Sequence, residues 1–569
     1  MSNIKNNFWL KTFFVFIIFF SIFFFGHLLK QGFWSIDDPY YHAKHSALIA
    51  QTGDLTLVKP WLEFHFLNYA PNDPWWGFHL LQAVFIYFFG IFLGVKISSA
   101  ILAGLFFAVF YFILKKFSIR YPFVWTCLVF VSSSYFLFRI SMERPQVLGM
   151  IILPLFSYLL VHPVRNSNRV LNPVRDLSLS GVNAAGIIPK PNPDAGQWSI
   201  ISNGVKKKYY LMFCLAVIFT IFYHLFLSLF FLIFFYGLAE YYQERKVSLK
   251  PFIFTGLGVL AGVLLHPDSL NYLFVVFVSF AEILYLKFAG VDLGVGGELY
   301  PSPMSDFIFS NFLIFIPFCL AIVLFLAVKQ INKNREIIFY FLVSVFWFST
   351  SLIIIRAVDF WVPFGWLFVA LVFKEFSQSE EWLRIKNIFR RHFNLKVTAF
   401  FFFCFVLSVS LFNITEIFFI GTWENNQTSV DRYIAEANDW LKKNTPAGSI
   451  IFFDNWSFWP MMFFYNDHNR YLAGMDPTFL YEYDHQLFWI WKNISYYALY
   501  CDKPEICLEI APRDNIKLIK SAVREKFRSD YILLMNEPER PLTELLSIDK
   551  KDFTKVFNNN RVSIYKIIP

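Results

Sequence analysis

Over its first three quarters the chain places apolar residues in long unbroken blocks. They do not follow the one-sided helical stripes or strict alternation that mark a soluble fold. The first block, Phe8 to Leu29, follows Lys5 and is long enough to cross a bilayer. It is longer than a secretory signal and lacks a small-residue cleavage site, which predicts a retained anchor. Further blocks lie at Ile97–Leu114, Pro122–Phe138, Val147–Val161, Tyr209–Tyr223 and Leu225–Tyr241. Others follow at Pro251–Leu265, Phe307–Val328, Ile337–Ile354, Phe360–Phe373 and Val397–Phe412. The pattern predicts about eleven transmembrane helices across residues 1–420.

Phe78 to Leu93 is apolar enough to cross, but counting it as a span leaves basic loops on both sides of the membrane. Read as a helix on the outer surface, within a first outer loop covering residues 30–95, it lets the charges sort. Lys115, Lys116, Arg120, the loop 163–208, Arg245, Lys246 and Lys250 then fall on one side, together with Lys329–Arg335 and Arg384–Lys396. The acids Asp37, Asp38, Asp54, Glu63 and Asp73 fall on the other. Basic loops stay in the cytoplasm, so the N-terminus is expected inside, in a multi-pass protein of the cell membrane. Asn271 to Phe288 is expected to dip in or lie flat. The odd span count then leaves residues 421–569 extracytoplasmic.

Those last residues change character. Ser449–Phe453, Tyr531–Met535 and Val562–Ile567 read as strands, and Ser429–Lys443 and Ile516–Phe527 as amphipathic helices, predicting a small α/β domain. Cys501 and Cys507 are the two cysteines there, and an oxidising compartment permits a disulfide between them. The loop 163–208 contains a short echo, Pro163-Val-Arg-Asn and Pro173-Val-Arg-Asp, then a Pro/Asn/Gly-rich stretch. It is expected to be a disordered cytoplasmic insertion.

Composition agrees: the 569 residues are 57% hydrophobic, 21% aromatic and only 16% charged, which excludes an ordinary soluble domain. The net charge of +9 is uneven. Residues from Gly421 onward hold 18 basic and 20 acidic side chains, so the excess lies between the apolar blocks. It reports orientation, not a nucleic-acid partner.

Acids are scarce in the membrane part, and several stand where a block meets the outer side. Asp37 and Asp38 occur in Ser35-Ile-Asp-Asp-Pro-Tyr-Tyr-His-Ala-Lys44, and Glu143 in Arg139-Ile-Ser-Met-Glu-Arg-Pro-Gln146. Glu298 occurs in Gly294-Val-Gly-Gly-Glu-Leu-Tyr-Pro301, Arg356 and Asp359 in Arg356-Ala-Val-Asp-Phe-Trp-Val-Pro363, and His224 interrupts an apolar block. Each has a plain structural alternative. Asp37 suits a helix cap before Asp38-Pro39, Glu143 an ion pair with Arg139 or Arg144, and Glu298 a flexible turn. His224 suits an apolar core, and Arg356 a headgroup contact. Gathered on one side, the set suits a divalent cation beside a phosphate.

Asp38-Pro-Tyr-Tyr-His-Ala-Lys44 resembles the Asp-Pro-aromatic-aromatic-x-x-Arg motif of oligosaccharyltransferase catalytic subunits, members of the GT-C superfamily of lipid-phosphate-sugar glycosyltransferases. The order of later features is similar too: an acidic motif before the fourth span, a loop with one Glu, and an Arg seven residues before a Pro. The resemblance implies a GT-C-like membrane domain whose base or metal-binding carboxylate is Asp38. Glu143 takes the place of the second acidic motif, Glu298 that of the mobile-loop Glu and Arg356 that of the lipid-phosphate-binding Arg. The chain departs from the family in having Met-Glu-Arg instead of paired acids. It also has Asp454-Asn-Trp-Ser-Phe-Trp-Pro460 where a Trp-Trp-Asp-Tyr-Gly motif would bind a sequon.

The expected activity is transfer of a sugar or oligosaccharide from a polyprenyl phosphate or diphosphate to an acceptor on the outer face, with a membrane lipid as the donor's carrier. Asp38 and Glu298 are the expected catalytic residues. Asp38, Glu143 and His42 are expected to hold Mg²⁺ or Mn²⁺. Lys44, His224, Arg356, Asp359, Trp75 and Trp76 are expected to bind substrate. A transporter or flippase, which would show inverted repeats, and a non-catalytic scaffold are the alternatives.

Overall fold

The computed structural model describes residues 2–35, 37–57, 61–162, 197–392, 395–415, 417–418, 430–504, 507, 512–536 and 540–569. Residues 163–196 of the expected insertion lie outside this set, and from Gln197 to Lys208 the chain is helical.

The apolar blocks are helices because a bilayer offers the backbone no hydrogen-bond partners but its own. Helix α1 (Ser2–Leu28) precedes α2 (Asp38–Thr52), which carries the Asp-Pro motif with Pro39 in its first turn. Next come α3 (Trp76–Phe89) and α4 (Ile91–Lys116), joined by Gly90 at φ 77°. A side chain at Gly94 would meet the backbone of Phe85 at 2.6 Å, so glycine there lets α3 fold back against α4. The block expected at Phe78–Leu93 is thus a short helix ending in a turn. Phe19 of α1 stacks on Phe107 of α4 at 4.1 Å.

Two expected spans are bent. α5 (Pro122–Val131) and α6 (Ser134–Ser141) meet at 90°. After α7 (Gln146–Val161), α8 (Gln197–Phe222), α9 (Ser228–Glu244), α10 (Lys250–Leu265), α11 (Ser269–Phe277) and α12 (Ile283–Phe288), a second pair meets at 92°. These are α13 (Met304–Ser310) and α14 (Phe312–Ala327). The bends face each other: Ser133 caps the Phe136 N–H at 2.9 Å and donates to Asn311 at 2.7 Å, while Ser132 accepts from Trp366 at 3.0 Å. Backbone freed by each break is satisfied locally, as an apolar surrounding requires. Helices α15 (Arg335–Ser351), α16 (Val358–Phe376), α17 (Glu380–His392) and α18 (Leu395–Thr415) complete this part.

The chain is a mostly helical, multi-pass membrane protein. Among the described residues five helices are long and apolar enough to cross a membrane, or seven if each bent pair is one span, against about eleven expected. The difference lies in short helices such as α7 and α10, which fall below full spanning length, and α11–α12 is long enough by the same test. Its midpoint, Val278–Glu282, is a wide π turn.

Residues 430–569 contain a five-stranded sheet in the order β2-β1-β3-β5-β4, from β1 (Ile450–Phe453), β2 (Arg470–Tyr471), β3 (Tyr531–Met535), β4 (Phe553–Asn558) and β5 (Val562–Ile567). β1 pairs in parallel with β2 and β3, and β5 runs antiparallel to both β3 and β4. Alternate residues feed two cores: Ile451, Phe453, Leu533 and Ile564 on one side, Phe452, Ile532, Leu534 and Tyr565 on the other. Strand β4 escaped the sequence pattern because it is a bulged edge with an exposed face. Cys501 and Cys507 are joined by a disulfide.

The first core also takes Tyr40, Tyr41, Ala43 and Ala47 of α2. Helix α2 therefore packs against the sheet-bearing part through the short helix Trp459–Tyr465, where Tyr40 meets Phe464 and Tyr41 meets Trp459. Lys44 pairs with Asp467 at 3.0 Å, and Leu62 forms a parallel bridge with Tyr471. This seating fixes the direction in which Asp38 points.

Candidate active site

A cavity of about 800 Å³ opens where α2, α6, α9, α15, α16 and the loop after α12 meet the sheet-bearing part. Part of its wall is apolar, with Phe231, Ile283, Leu284, Phe346, Trp347 and Phe360 among the lining residues. Its polar end is where Asp37, Asp38, Arg139, Arg144, Glu298 and Arg356 are joined by ion pairs.

Three guanidinium groups organise the polar end. Arg139, on α6, forks onto Asp359 of α16 at 3.1 and 2.9 Å and pairs with Glu298. Arg144 reaches Asp37 at 2.6 Å, Asp38 at 3.4 Å and Glu298 at 3.3 Å. Arg356 pairs with the other Glu298 oxygen at 2.8 Å and donates to the Tyr223 hydroxyl at 3.1 Å. One carboxylate thus bridges three arginines, which holds the segment around Glu298 over the cavity. That segment is tethered twice more, because Trp456 donates to the Gly294 carbonyl at 3.1 Å and Ile355 to that of Tyr300 at 3.2 Å.

The two catalytic candidates titrate in opposite directions. Burial raises the Asp38 carboxyl to about 6, helped by Asp37 and Glu298 and opposed by Arg144 and Arg356. Burial pushes Glu298 up as well, but Arg139, Arg356 and Arg144 outweigh it and hold this carboxyl well below the usual range. Glu298 is thus held toward its anionic form, whereas the Asp38 carboxyl, 41% exposed to the cavity, is shifted the opposite way.

Of the residues expected at the site, Asp38, Glu298, Arg356, His224, Trp75 and His42 line the cavity. His224 presents an Nδ1 without a hydrogen-bond partner among the described residues. Four stand elsewhere. Lys44 is spent on Asp467, and Trp76 donates to the Leu55 carbonyl at 2.7 Å. Asp359 sits behind the wall as the counter-ion of Arg139. Glu143 is fully buried, accepting from the Trp34 N–H at 3.0 Å and lying 3.1 Å from His27.

Asp38, Glu143 and His42 accordingly do not offer a metal three ligands at one point. Glu143 faces away, and His42 Nδ1 is hydrogen-bonded to His79 at 2.8 Å. The place beside Asp38 is taken by the Arg144 guanidinium. The donor set does not fit the expected Mg²⁺ or Mn²⁺ ion, and fixed cations provide the positive charge there.

Sequence reasoning named Arg139 and Arg144 only as partners of Glu143. The signal available was the break itself: α6 stops at Ser141, Met142 is extended (φ −69°, ψ 142°), and Pro145 follows, so residues 143 and 144 cannot share a helical face.

No family model matches the chain, and no curated protein matches it by sequence. Solved structures do. ArnT from Cupriavidus metallidurans, bound to undecaprenyl phosphate, superposes with a TM-score of 0.53 at 11% identity, covering 97% of both chains. The apo oligosaccharyltransferase of Archaeoglobus fulgidus gives 0.54 at 11% identity, covering 92% of this chain and 69% of the other. At 11% identity the likeness shows that this chain shares the fold of these two proteins.

Proposed function

We propose that this chain is a glycosyltransferase that moves a sugar from a polyprenyl-phosphate-type carrier to an acceptor on the extracytoplasmic side. The observation that carries the reading is the mixed lining of one cavity. An aspartate and an arginine cluster stand in its wall together with apolar helix faces. A polyprenyl phosphate needs both kinds of surface. Undecaprenyl phosphate bound to ArnT, which shares this fold, is in keeping with that match. The acidic first loop and the basic loops between spans support placing the polar end outside.

In this reading the lipid tail lies against Phe231, Phe346 and Trp347, and the phosphate meets Arg356 with the Tyr223 hydroxyl beside it. Guanidinium recognises phosphate oxygens in a fork, and a site shielded from water strengthens the attraction. Asp38 accepts the proton of the acceptor hydroxyl as that oxygen attacks the anomeric carbon. The new bond is from acceptor oxygen to sugar carbon. The broken bond is from the sugar carbon to the carrier phosphate oxygen, which leaves with the electron pair. Charge grows on that oxygen in the transition state, where preorganised cations lower the barrier most. Glu298 does not take part in proton transfer; it spaces Arg139, Arg144 and Arg356. Trp75 and Trp456 flank the polar end and offer flat faces to sugar rings.

The test is direct. Purified chain in lipid nanodiscs is given a panel of polyprenyl-phosphate sugars with candidate acceptors, and free polyprenyl phosphate is measured. Release by the wild type and its loss in Asp38→Asn support the reading. Equal release by both removes Asp38 from the chemistry.

A further inference from the structure

Beside the cavity, and outside the chemistry assigned to it, lies a second cluster. His45 of α2, Asp73 of the first loop and His79 of α3 are all buried, and one ligand atom from each lies within 4.8 Å of the others. Asp73 Oδ2 is 2.6 Å from His79 Nδ1 and 3.8 Å from His45 Nε2. The same His45 nitrogen is hydrogen-bonded to the Leu57 carbonyl oxygen at 2.8 Å, a bond that a bound ion would replace.

We propose that His45, Asp73 and His79 bind a zinc-type divalent cation that clips the first loop together. The donor set argues for the ion class. Two imidazole nitrogens and one carboxylate oxygen suit a borderline metal, whereas Mg²⁺ and Ca²⁺ take oxygen ligands. Ligand atoms about 2.0–2.2 Å from a tetrahedral ion stand roughly 3.3–3.6 Å from one another. Two of the three pairs, at 2.6 and 3.8 Å, bracket that spacing; the His45 and His79 rings stack at 4.3 Å with planes 22° apart, so one imidazole must turn for both lone pairs to meet at the ion.

The surroundings fit a metal centre. A ligating imidazole is normally oriented through its other nitrogen. His79 Nε2 is bonded to His42 Nδ1 at 2.8 Å, and His45 Nδ1 to the Tyr41 hydroxyl at 3.1 Å. The free oxygen of Asp73 accepts the Trp75 N–H at 3.0 Å. Through these partners the clip touches the cavity, since Tyr41, His42 and Trp75 all line it. The ion would be structural, tying α2 to α3 and so fixing the helix whose first residue is Asp38. It stands apart from the sugar-transfer reading and survives if that reading fails.

The experiment uses the full chain in detergent, stripped with a chelator and dialysed against zinc alone, then against magnesium alone. Bound metal is measured by mass spectrometry and thermal unfolding is followed in parallel. The expected result is one equivalent of zinc, no magnesium, and a higher unfolding temperature with zinc. Cobalt in place of zinc should give the intense visible bands of a tetrahedral site. His45→Ala and Asp73→Asn should each weaken zinc binding by at least ~10-fold. Wild-type protein that takes up no zinc would overturn the proposal, leaving the cluster a hydrogen-bonded triad. Zinc held equally by the wild type and both variants would also overturn it. The wild-type dialysis decides the matter even where a variant fails to fold.

Discussion

Glu143 and Arg144 are neighbours in the chain and end in opposite surroundings. Glu143 enters a closed cluster with His27, Lys30, Lys96 and Trp34. There Lys30 donates to the Trp34 carbonyl at 3.0 Å and Lys96 to that of Lys30 at 2.6 Å. Every member is buried and none lines the cavity. Arg144 enters a cluster whose carboxylates, Asp37, Asp38 and Glu298, face open space. The closed cluster holds its carboxylate and ammonium groups against protein atoms away from the cavity, which is the mark of a structural device. The open one shares three arginines among carboxylates that a substrate phosphate can compete with. Proximity in sequence to a functional motif is thus no guide to role. What matters is whether a charge's partners can be exchanged.

Breaking each cluster in turn tests this contrast. In the open cluster Asp38→Asn keeps the size of the side chain and removes its charge; the cap position of α2 is Asp37, which the change leaves intact. Turnover should fall by ~10²-fold or more, with no loss of thermal stability at pH 7. The sign follows from the raised carboxyl: its protonated form is favoured by folding, so this group contributes stability at low pH that is lost as pH rises through about 6. A large drop in unfolding temperature would instead mark Asp38 as structural.

The closed cluster should respond in reverse. Glu143→Gln leaves Lys30 and Lys96 buried near a neutral amide, and unfolding should be easier by about 3 kcal/mol. The folded fraction should keep its turnover number. Lost turnover with unchanged stability would erase the distinction between the clusters.

A smaller effect is the acid limb of the rate. Asp38 must be ionised to accept a proton, so kcat/KM should fall about tenfold per pH unit below about 6. A profile flat from pH 5 to 8 would sever the link between its titration and catalysis. Least of all, Lys44→Met removes a partly exposed tie to Asp467 and should cost about 1 kcal/mol or less, with KM unchanged. A raised KM would return Lys44 to the binding site.

The membrane architecture and much of the polar end were legible in the sequence. Unbroken apolar blocks announced the helices, and the Asp-Pro motif with Glu298 and Arg356 marked three residues that meet at one cavity. The bends were not legible, because Ser132-Ser133 and Asn311 interrupt the helices without interrupting their hydropathy. The preference for Glu143 over Arg144 came from expecting carboxylates around a metal, and only the turn after Ser141 decides between them. Asp73 and His79 gave no local pattern with His45, since a loop with its own fold brings them together.

The central claim is that the arginine end of the cavity recognises a lipid phosphate. Titrating the purified chain with a polyprenyl phosphate and with the matching polyprenyl alcohol, read by native mass spectrometry, tests it most directly. A charge-assisted contact worth about 1.5–3 kcal/mol should make the phosphate bind at least ~10-fold more tightly. Arg356→Gln should remove most of that difference, and Glu143→Gln should leave it intact. Equal binding of the two lipids, or a phosphate preference that survives Arg356→Gln, would contradict the account.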